Sequence, residues 1–408
     1  MSFSLRKFGP GLLFAGAAIG VSHLVQSTRA GADFGFGLVW ALILINLVKY
    51  PFFQFGPKYA SATGETLLDG YKRLGKGLLF AYFLVNLATM FTIQTAVTIV
   101  TAGLAVSLFD GLLSVDVGVE IWTVIILVIS VIILLRGKYN FLDKLIKIII
   151  IALTLSTLIA VVVAFAKVKS PISIQQVIPE VQEIGFLIAF MGWMPAPLDI
   201  SIWQSIWTVE KKVNNHQYDS KTSNWDFNVG YVFTIIIGLG FIALGALVMF
   251  GTGMDFSNQA GKFSNQLISV YTTNLGSWSY SLIAIAAFTA MFSTTITTLD
   301  ASPKAMHNTS RLLFPSKFKS SYLFWILLLA FGTIFIFFFL ASEMGLLIKI
   351  ATILSFLTAP FYAIMNYVLI SGKNTPKKDR PSMIMHIWSW IGILFLLGFS
   401  CWYLSTVL

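Results

Sequence analysis

The chain has 408 residues and a formal net charge of +10, yet only 11% of its residues are charged and 57% are apolar. Soluble domains carry about 25% charged residues. This composition therefore excludes a soluble enzyme, a disordered protein and a conventional nucleic-acid binder. The single cysteine, Cys401, excludes a disulfide framework and a cysteine-based metal cage, and four histidines exclude a histidine-rich metal site. Long uncharged runs predict a polytopic membrane protein.

Apolar runs between charge clusters predict eleven transmembrane spans and no separate soluble domain. In chain order, spans 1 to 11 are 10–31, 35–57, 77–107, 117–135, 141–166, 184–208, 227–252, 270–299, 320–341, 344–371 and 384–406. The longest polar loops are predicted at 209–226 and 301–319. The basic N-terminus followed by an apolar stretch resembles a signal peptide. We interpret it as span 1, because polar residues continue it to full spanning length.

The basic residues predict the orientation of the chain, since cytoplasmic loops carry an excess of lysine and arginine. Counted on alternating sides, 21 lie on the side of the N-terminus and 4 on the other, while Lys49 and Lys349 fall inside spans. The N-terminus is expected inside and the C-terminus outside, in a plasma membrane such as a bacterial inner membrane. Lys49 lies two residues before Pro51, and its ammonium is expected to extend to the inner interface.

Two spans carry helix-breaking residues near their centres. Span 1 contains GAAIGVSH at 16–23 and span 6 contains GWMPAPLD at 192–199; we name these the first break and the second break. Two prolines remove backbone donors and disrupt the helical ladder. Unpaired backbone at membrane depth is tolerated only where it is buried in protein or lines a cavity. The alternative is that both features are simple kinks, because Gly and Pro are common in membrane helices.

The positions of the breaks predict an internal repeat. Residues 10–166 would form a first five-helix repeat and 184–371 a second one, inverted because five is odd, with 384–406 as an extra helix. Interrupted helices at matching positions of inverted halves indicate the substrate site of a transporter.

Several short sequences carry a family resemblance. GPGLL at 9–13, GADFG at 31–35 and Met194–Pro195 resemble the Nramp family, mainly over 9–66 and 186–208. The Ser- and Thr-rich stretch 288–305 is similar to the family's eighth helix. The resemblance implies an all-α membrane protein with the LeuT-like 5+5 inverted repeat and broken helices 1 and 6. It also implies divalent-metal and proton symport.

The sequence departs from the family at the residues that bind metal and move protons. The Asp-Pro-Gly-Asn motif of the first helix falls on Gly20, Val21, Ser22 and His23. The methionine ligand is matched by Met194, but the two histidine positions hold Ala196 and Ser201. The acidic positions of the third helix hold Phe83, Met90 and Ile93. The resemblance therefore implies a divergent relative with altered cation and proton chemistry.

The candidate substrate-binding residues are Gly20, His23, Met194 and Asp199 at the two breaks, with Gln94 in span 3 as a neutral oxygen ligand. An imidazole can bind a transition metal or relay a proton, and with the thioether of Met194 and the carboxylate of Asp199 it would make a metal site. A charged group in the membrane costs roughly 3 kcal/mol. Asp199 should therefore face water, a cation or the substrate, or cap the inner half-helix. The alternative for His23 is a hydrogen bond to a freed carbonyl.

Polar residues at helical spacing follow each break. Ser22 and Gln26 lie on the outer half of span 1, while Ser201 and Ser205 lie on the inner half of span 6, and they predict a pathway for alternating access. The alternative is that they bind neighbouring helices. Hydroxyls at 293–298, with freed carbonyls near Ala18, would suit a sodium ion. Asp300 and Lys304, four residues apart, predict an intrahelical ion pair.

These observations predict a secondary-active transporter that works by alternating access, most simply for a metal cation with an altered site. An ion-coupled transporter of a small organic solute and a non-transporting sensor or scaffold are the alternatives. No phosphate loop, metalloprotease motif or nucleophile elbow occurs, so no enzyme is predicted. No cofactor is expected beyond a transported or coupling metal ion, proton or sodium. The expected partners are membrane lipid and a small ion or solute, with no nucleic acid and the oligomeric state left open.

Overall fold

A computed structural model describes residues 9–109, 117–136, 139–167, 172–180, 183–214, 218–253, 256–315, 321–340 and 344–407. Within these residues the chain is helical and contains no strand. The α-helices are α1 Pro10–Ala18, α2 Thr28–Phe34, α3 Val39–Thr63, α4 Leu67–Leu74, α5 Lys76–Phe109, α6 Val119–Arg136, α7 Tyr139–Lys167, α8 Ile184–Trp193, α9 Ile200–Asn214, α10 Ser220–Val248, α11 Ala260–Leu275, α12 Ser279–Leu313, α13 Tyr322–Phe335, α14 Met344–Ser371 and α15 Met383–Val407.

The predicted fold class is confirmed, although the number of spans and their orientation stay predictions. In the described part of the chain, eight helices are long and apolar enough to cross a membrane, or nine if the bent pair in span 1 counts as one span. Shorter apolar stretches, Ile151–Lys167 in α7 and Ile184–Trp193 in α8, correspond to spans 5 and 6. Six basic residues counted for the orientation lie outside the described residues: Arg6, Lys7, Lys138, Lys169, Lys317 and Lys319.

Three predicted boundaries are wrong. Span 8, predicted at 270–299, is divided between α11 and α12, because Gly276 (φ 98°) turns the chain between them. The predicted loop 209–226 is mostly helical, since α9 continues to Asn214 and α10 begins at Ser220. The predicted loop 301–319 is helical as far as Leu313. Long polar helix ends therefore extend beyond the apolar runs that hydropathy detects.

Both breaks in the helices are confirmed. At the first break, α1 ends at Ala18, a π-helical turn covers Ser22–Ser27, and the two halves of span 1 are bent by 48°. At the second break, α8 ends at Trp193 and α9 begins at Ile200, with irregular backbone between them.

Close helix packing fixes the half-helices in place. A Cβ on Gly11 would lie 2.1 Å from Asp226 O in α10, one on Gly31 would lie 2.1 Å from Ile242 O in the same helix, and one on Gly192 would lie 2.2 Å from Thr352 O in α14. Small residues allow such contacts between membrane helices. As a result α10 packs along both halves of span 1, while α14 packs along α8.

A short helix, α4, covers the end of α9 outside the spans. Its N-terminus is capped by Thr66 and Asp69 in a capping box, and the amide of Leu67 donates to Ser205 Oγ (3.0 Å). Glu65 pairs with Arg73 at 2.6 Å, and this hydrogen bond raises the pKa of the Arg73 guanidinium. The surface helix therefore restrains the inner half of span 6.

Candidate functional site

The two breaks touch each other in the protein interior. Ser22 Oγ lies 2.7 Å from Ala18 O within span 1 and 3.3 Å from Pro195 O in the second break. The first break also packs closely against α12 at Gly20. A Cβ at this position would lie only 2.9 Å from Thr294 Cγ2. The candidate Gly20 therefore has a steric role at the point where the first break meets α12.

A cavity of about 30 Å³ lies between the breaks, α5 and α12. That volume is large enough for one or two water molecules or a single ion. Its polar lining consists of the hydroxyl-bearing residues Ser22, Thr294 and Thr298, and two indoles, Trp193 and Trp203, form part of its wall. The Nε1 of Trp203 has no hydrogen-bond partner among the described residues. Trp193 lies in the second break and Trp203 in α9, but neither was among the predicted site residues.

Both ring nitrogens of His23 face backbone carbonyls, as the alternative interpretation expected. Nδ1 lies 3.0 Å from Ala18 O and 2.7 Å from Ser22 Oγ, and Nε2 lies 3.0 Å from Thr234 O in α10. The ring is fully buried and bridges the first break to α10. Neither nitrogen is directed into the cavity with a lone pair free for a metal ion.

Met194 and Asp199 lie on different sides of the second break. The Sδ of Met194 lies 3.5 Å from the position of a Cβ on Gly238 in α10, near the ring of His23. Asp199 directly precedes α9, but the amide of Ile200 donates to Pro197 O (3.2 Å), so a capping role for the carboxylate stays a prediction. Its Oδ1 has no hydrogen-bond partner in the described part of the chain.

No metal cage follows from these positions. Within the described ranges, no three His, Cys, Asp or Glu side chains come together. His23 and the Sδ of Met194 both lie close to Gly238 in α10, whereas Asp199 interacts electrostatically with Lys49, Tyr82 and Tyr362. A metal-ligand role for the three predicted residues stays a prediction.

The position predicted for the Lys49 side chain is wrong. Its ammonium does not reach the interface: the residue is fully buried, and Nζ contacts four carbonyl oxygens of the second break. The contacts are to Met191 (2.9 Å), Gly192 (2.6 Å), Met194 (3.1 Å) and Ala196 (3.3 Å). The sequence contains the reason for one of them. Pro195, the residue four positions after Met191, has no N–H to donate to the Met191 carbonyl.

Gln94 joins α5 to α12 beside the cavity. Its Oε1 accepts from Thr298 Oγ1 (2.7 Å), and its Nε2 donates to Thr295 O (3.3 Å) and Thr98 Oγ1 (3.2 Å). It therefore positions a hydroxyl-bearing residue of the cavity without lining the cavity itself.

The predicted pathway residues are all buried. Ser201 Oγ accepts from Asn366 Nδ2 (2.8 Å) in α14, and Ser205 Oγ accepts from the Leu67 amide. Both hydroxyls therefore bind neighbouring helices in this conformation, as the alternative expected, while Ser22 faces the cavity. A role for Gln26, Ser201 and Ser205 along a pathway stays a prediction.

An ion cluster lies on α12 within two helical turns of Thr298, which lines the cavity. Lys304 Nζ is 2.8 Å from Asp300 Oδ2, so the predicted intrahelical pair is confirmed. The same ammonium lies 3.8 Å from Glu210 in α9, and Tyr322 donates to Asp300. The cluster therefore links α9 to α12 and α13. The spacing of residues within one helix does not reveal these contacts between helices.

The fold and the paired breaks define a polytopic membrane protein of a transporter type. The sequence model of the natural resistance-associated macrophage protein-like (Nramp) family matches residues 11–406. The chain belongs to the Nramp family.

Solved structures and a sequence relative are consistent with this assignment. An uncharacterized protein of Pasteurella multocida (strain Pm70) is 38% identical over 97% of this chain and 91% of its own length. A variant of the manganese transporter of Eremococcus coleocola superposes with a TM-score of 0.74 at 13% identity, covering 98% of this chain and 86% of the other. Mhp1, a nucleobase-cation-symport-1 family transporter with bromovinylhydantoin bound, has a TM-score of 0.63 at 16% identity over 98% and 88%. These two structures establish the fold.

Proposed function

We propose that the protein is a secondary-active transporter that moves a metal cation by alternating access around the cavity between the two breaks. The observation that carries the proposal is the meeting of two interrupted helices at a buried cavity, where Ser22 of one lies 3.3 Å from Pro195 of the other. Discontinuous helices at mid-membrane are the usual place for an ion or substrate site. Membership of a transporter family supports transport over enzymatic activity.

The cavity favours a small ion over a large solute in this conformation. A volume of about 30 Å³ accepts a single ion but not an amino acid. The hydroxyls of Ser22, Thr294 and Thr298 supply neutral oxygen ligands, which suit hard cations. Because no carboxylate lines the cavity, the affinity for a divalent ion should be lower than that of a site with an acidic ligand. The family and the solved manganese transporter of the same fold support a metal as cargo.

Uptake into liposomes tests this proposal. Vesicles that contain the purified protein should take up Mn²⁺ or a related divalent ion faster than empty vesicles. Ser22→Ala and Thr298→Val should slow uptake, since each removes a hydroxyl from the cavity. Thr309→Val is the matched control, because this buried threonine of the same helix donates only to Ala305 O (2.7 Å). Absence of divalent uptake, or equal loss in the control, would remove the metal assignment.

A second candidate, an ion-coupled carrier of a small organic solute, is favoured by one observation. The indole Nε1 of Trp203 is a donor without a partner among the described residues, and it suits a carboxylate or carbonyl group but not a cation. Thermal-shift screening of amino acids with and without sodium distinguishes the two. Sodium-dependent stabilisation by an organic solute would promote this candidate. Absence of both flux and ligand shifts would favour a scaffold.

We place the protein in a plasma membrane, as a multi-pass integral protein with its N-terminus inside. The excess of basic residues on one side of the predicted spans supports this orientation, and the relative from a bacterium supports a bacterial inner membrane. Proteolysis or labelling of a C-terminal tag in intact cells tests the orientation: a tag that is accessible only after the cells are opened would contradict it.

A further inference from the structure

The Lys49 ammonium is a buried cation that the transport cavity does not use. It belongs to α3, its side chain contacts the backbone of the second break, and it is not among the residues that line the cavity. Four backbone carbonyl oxygens lie 2.6 to 3.3 Å from Nζ. These are ordinary N–H···O distances. Hydrogen bonds to the backbone therefore hold the ammonium in place, in addition to the packing of its aliphatic chain.

The arrangement of acceptors around Nζ suits the charged form of the amine. All four neighbours of Nζ are hydrogen-bond acceptors, and an ammonium has three donors and no lone pair. A neutral amine would turn its lone pair towards a carbonyl oxygen, which is repulsive. Asp199, at the other end of the same break, supplies the opposite charge and interacts electrostatically with Lys49.

The backbone of the break has carbonyl oxygens that the helical ladder does not satisfy. Pro195 cannot donate to Met191 O, and the end of α8 at Trp193 frees Gly192 O from the helical ladder. A ring of carbonyl oxygens replaces the hydration shell of a monovalent cation such as potassium. An ammonium is similar in size and charge to that ion. The ring contains no carboxylate, so a divalent ion would be poorly neutralised there.

We propose that Lys49 is a built-in substitute for a monovalent cation, which permanently fills a carbonyl site at the second break. The break then stays formed without an ion from solution. A cation that the protein carries must bind elsewhere, in the cavity by Ser22 and Thr298. The inference concerns occupancy of the carbonyl site and does not depend on transport activity.

Chemical rescue of a truncated lysine tests the proposal directly. Lys49→Ala removes the atoms from Cγ to Nζ, a fragment that n-propylammonium reproduces. In detergent, this variant should unfold at a lower temperature than the wild type. A saturable rise in its Tm should follow addition of n-propylammonium, with smaller rises for ammonium or potassium. Choline at equal ionic strength should give none, because its head is too large for the ring and has no N–H.

Two further variants keep the test decisive. Lys49→Met retains the side-chain volume without the charge, so n-propylammonium should leave its Tm unchanged, as it should that of the wild type. If Lys49→Ala does not fold, the pair Lys49→Met and Asp199→Asn takes its place. Each single variant should have a lower Tm than the wild type. The decrease in Tm of the double variant should be clearly smaller than the sum of the two single decreases, because no unpaired charge remains.

The possible results separate the fixed cation from a structural lysine. The proposal is supported if n-propylammonium raises the Tm of Lys49→Ala more than ammonium or potassium does and choline leaves it unchanged. It is also supported if the decrease in Tm of the double variant is smaller than the sum of the two single decreases. Absence of rescue in a folded Lys49→Ala, equal rescue of Lys49→Met, or strictly additive losses in the double variant would overturn it. Transport need not be measured, so this outcome is independent of the fate of the proposed function.

Discussion

The contact between α8 and α14 gives a prediction whose magnitude follows from the structure. A Cβ added at Gly192 would lie 2.2 Å from Thr352 O, which is backbone, while ordinary contact begins at 3.4 Å. The helices would have to separate by more than 1 Å. Gly192 O also lies 2.6 Å from the Lys49 ammonium, so the same shift would loosen the carbonyl site.

Gly192→Ala should therefore destabilise the protein by about 1 to 3 kcal/mol, the usual cost of overpacking. For a chain of 408 residues this corresponds to a fall in Tm of roughly 1 to 4 °C, which is measurable by the fluorescence of the purified protein during heating in detergent.

Gly398→Ala is the matched control. Gly398 lies within α15, and nothing lies within 4 Å of the Cβ that the substitution adds. Alanine favours a helix over glycine by up to about 1 kcal/mol, so the Tm of this variant should stay the same or rise slightly. A Gly192→Ala variant as stable as the wild type, or an equal fall in the control, would refute the packing argument.

Three further outcomes are expected. Gly20→Ala should slow any transport more than it lowers Tm, because the methyl group meets a threonine side chain that can shift only by altering the cavity wall; equal uptake rates would contradict this. His23→Ala should lower the free energy of unfolding by roughly 1 to 3 kcal/mol, because a buried carbonyl loses its donor. The heat of metal binding in calorimetry should stay unchanged. Loss of that heat with the Tm preserved would show that His23 is a metal ligand. Lys304→Met should increase maleimide labelling of a Thr208→Cys probe in a Cys401→Ser background, because the cluster between α9 and α12 is broken; unchanged labelling would show that the cluster does not hold α9 against α12.

Hydropathy alone locates much of the membrane architecture. Span 10, predicted at 344–371, coincides with Met344–Ser371, and span 11 differs from Met383–Val407 by one residue at each end. The breaks are also visible in the sequence, because glycine clusters and paired prolines have a direct effect on backbone hydrogen bonding. Span 8 was misplaced because its predicted start ran through the mostly polar stretch 272–281, where Gly276 turns the chain between α11 and α12.

The site itself was harder to predict, because its contacts join distant parts of the chain. The carbonyls that surround the Lys49 ammonium are more than 140 residues away in sequence. A lysine two residues before a proline therefore looked like an interfacial residue. His23 was named correctly as a residue of the first break, but spacing cannot show that its Nε2 faces Thr234 O in α10. The positions of polar residues were predictable, and their partners required the fold.

The central claim is that cargo binds between the breaks while Lys49 fills the carbonyl site. Anomalous diffraction from crystals soaked in Mn²⁺ tests it most directly. The account predicts a single peak inside the cavity, within coordination distance of the hydroxyls of Ser22 and Thr298, with the Lys49 ammonium still among its carbonyls. A peak at those carbonyls with the lysine displaced, or an empty cavity in a preparation that takes up Mn²⁺, would contradict it.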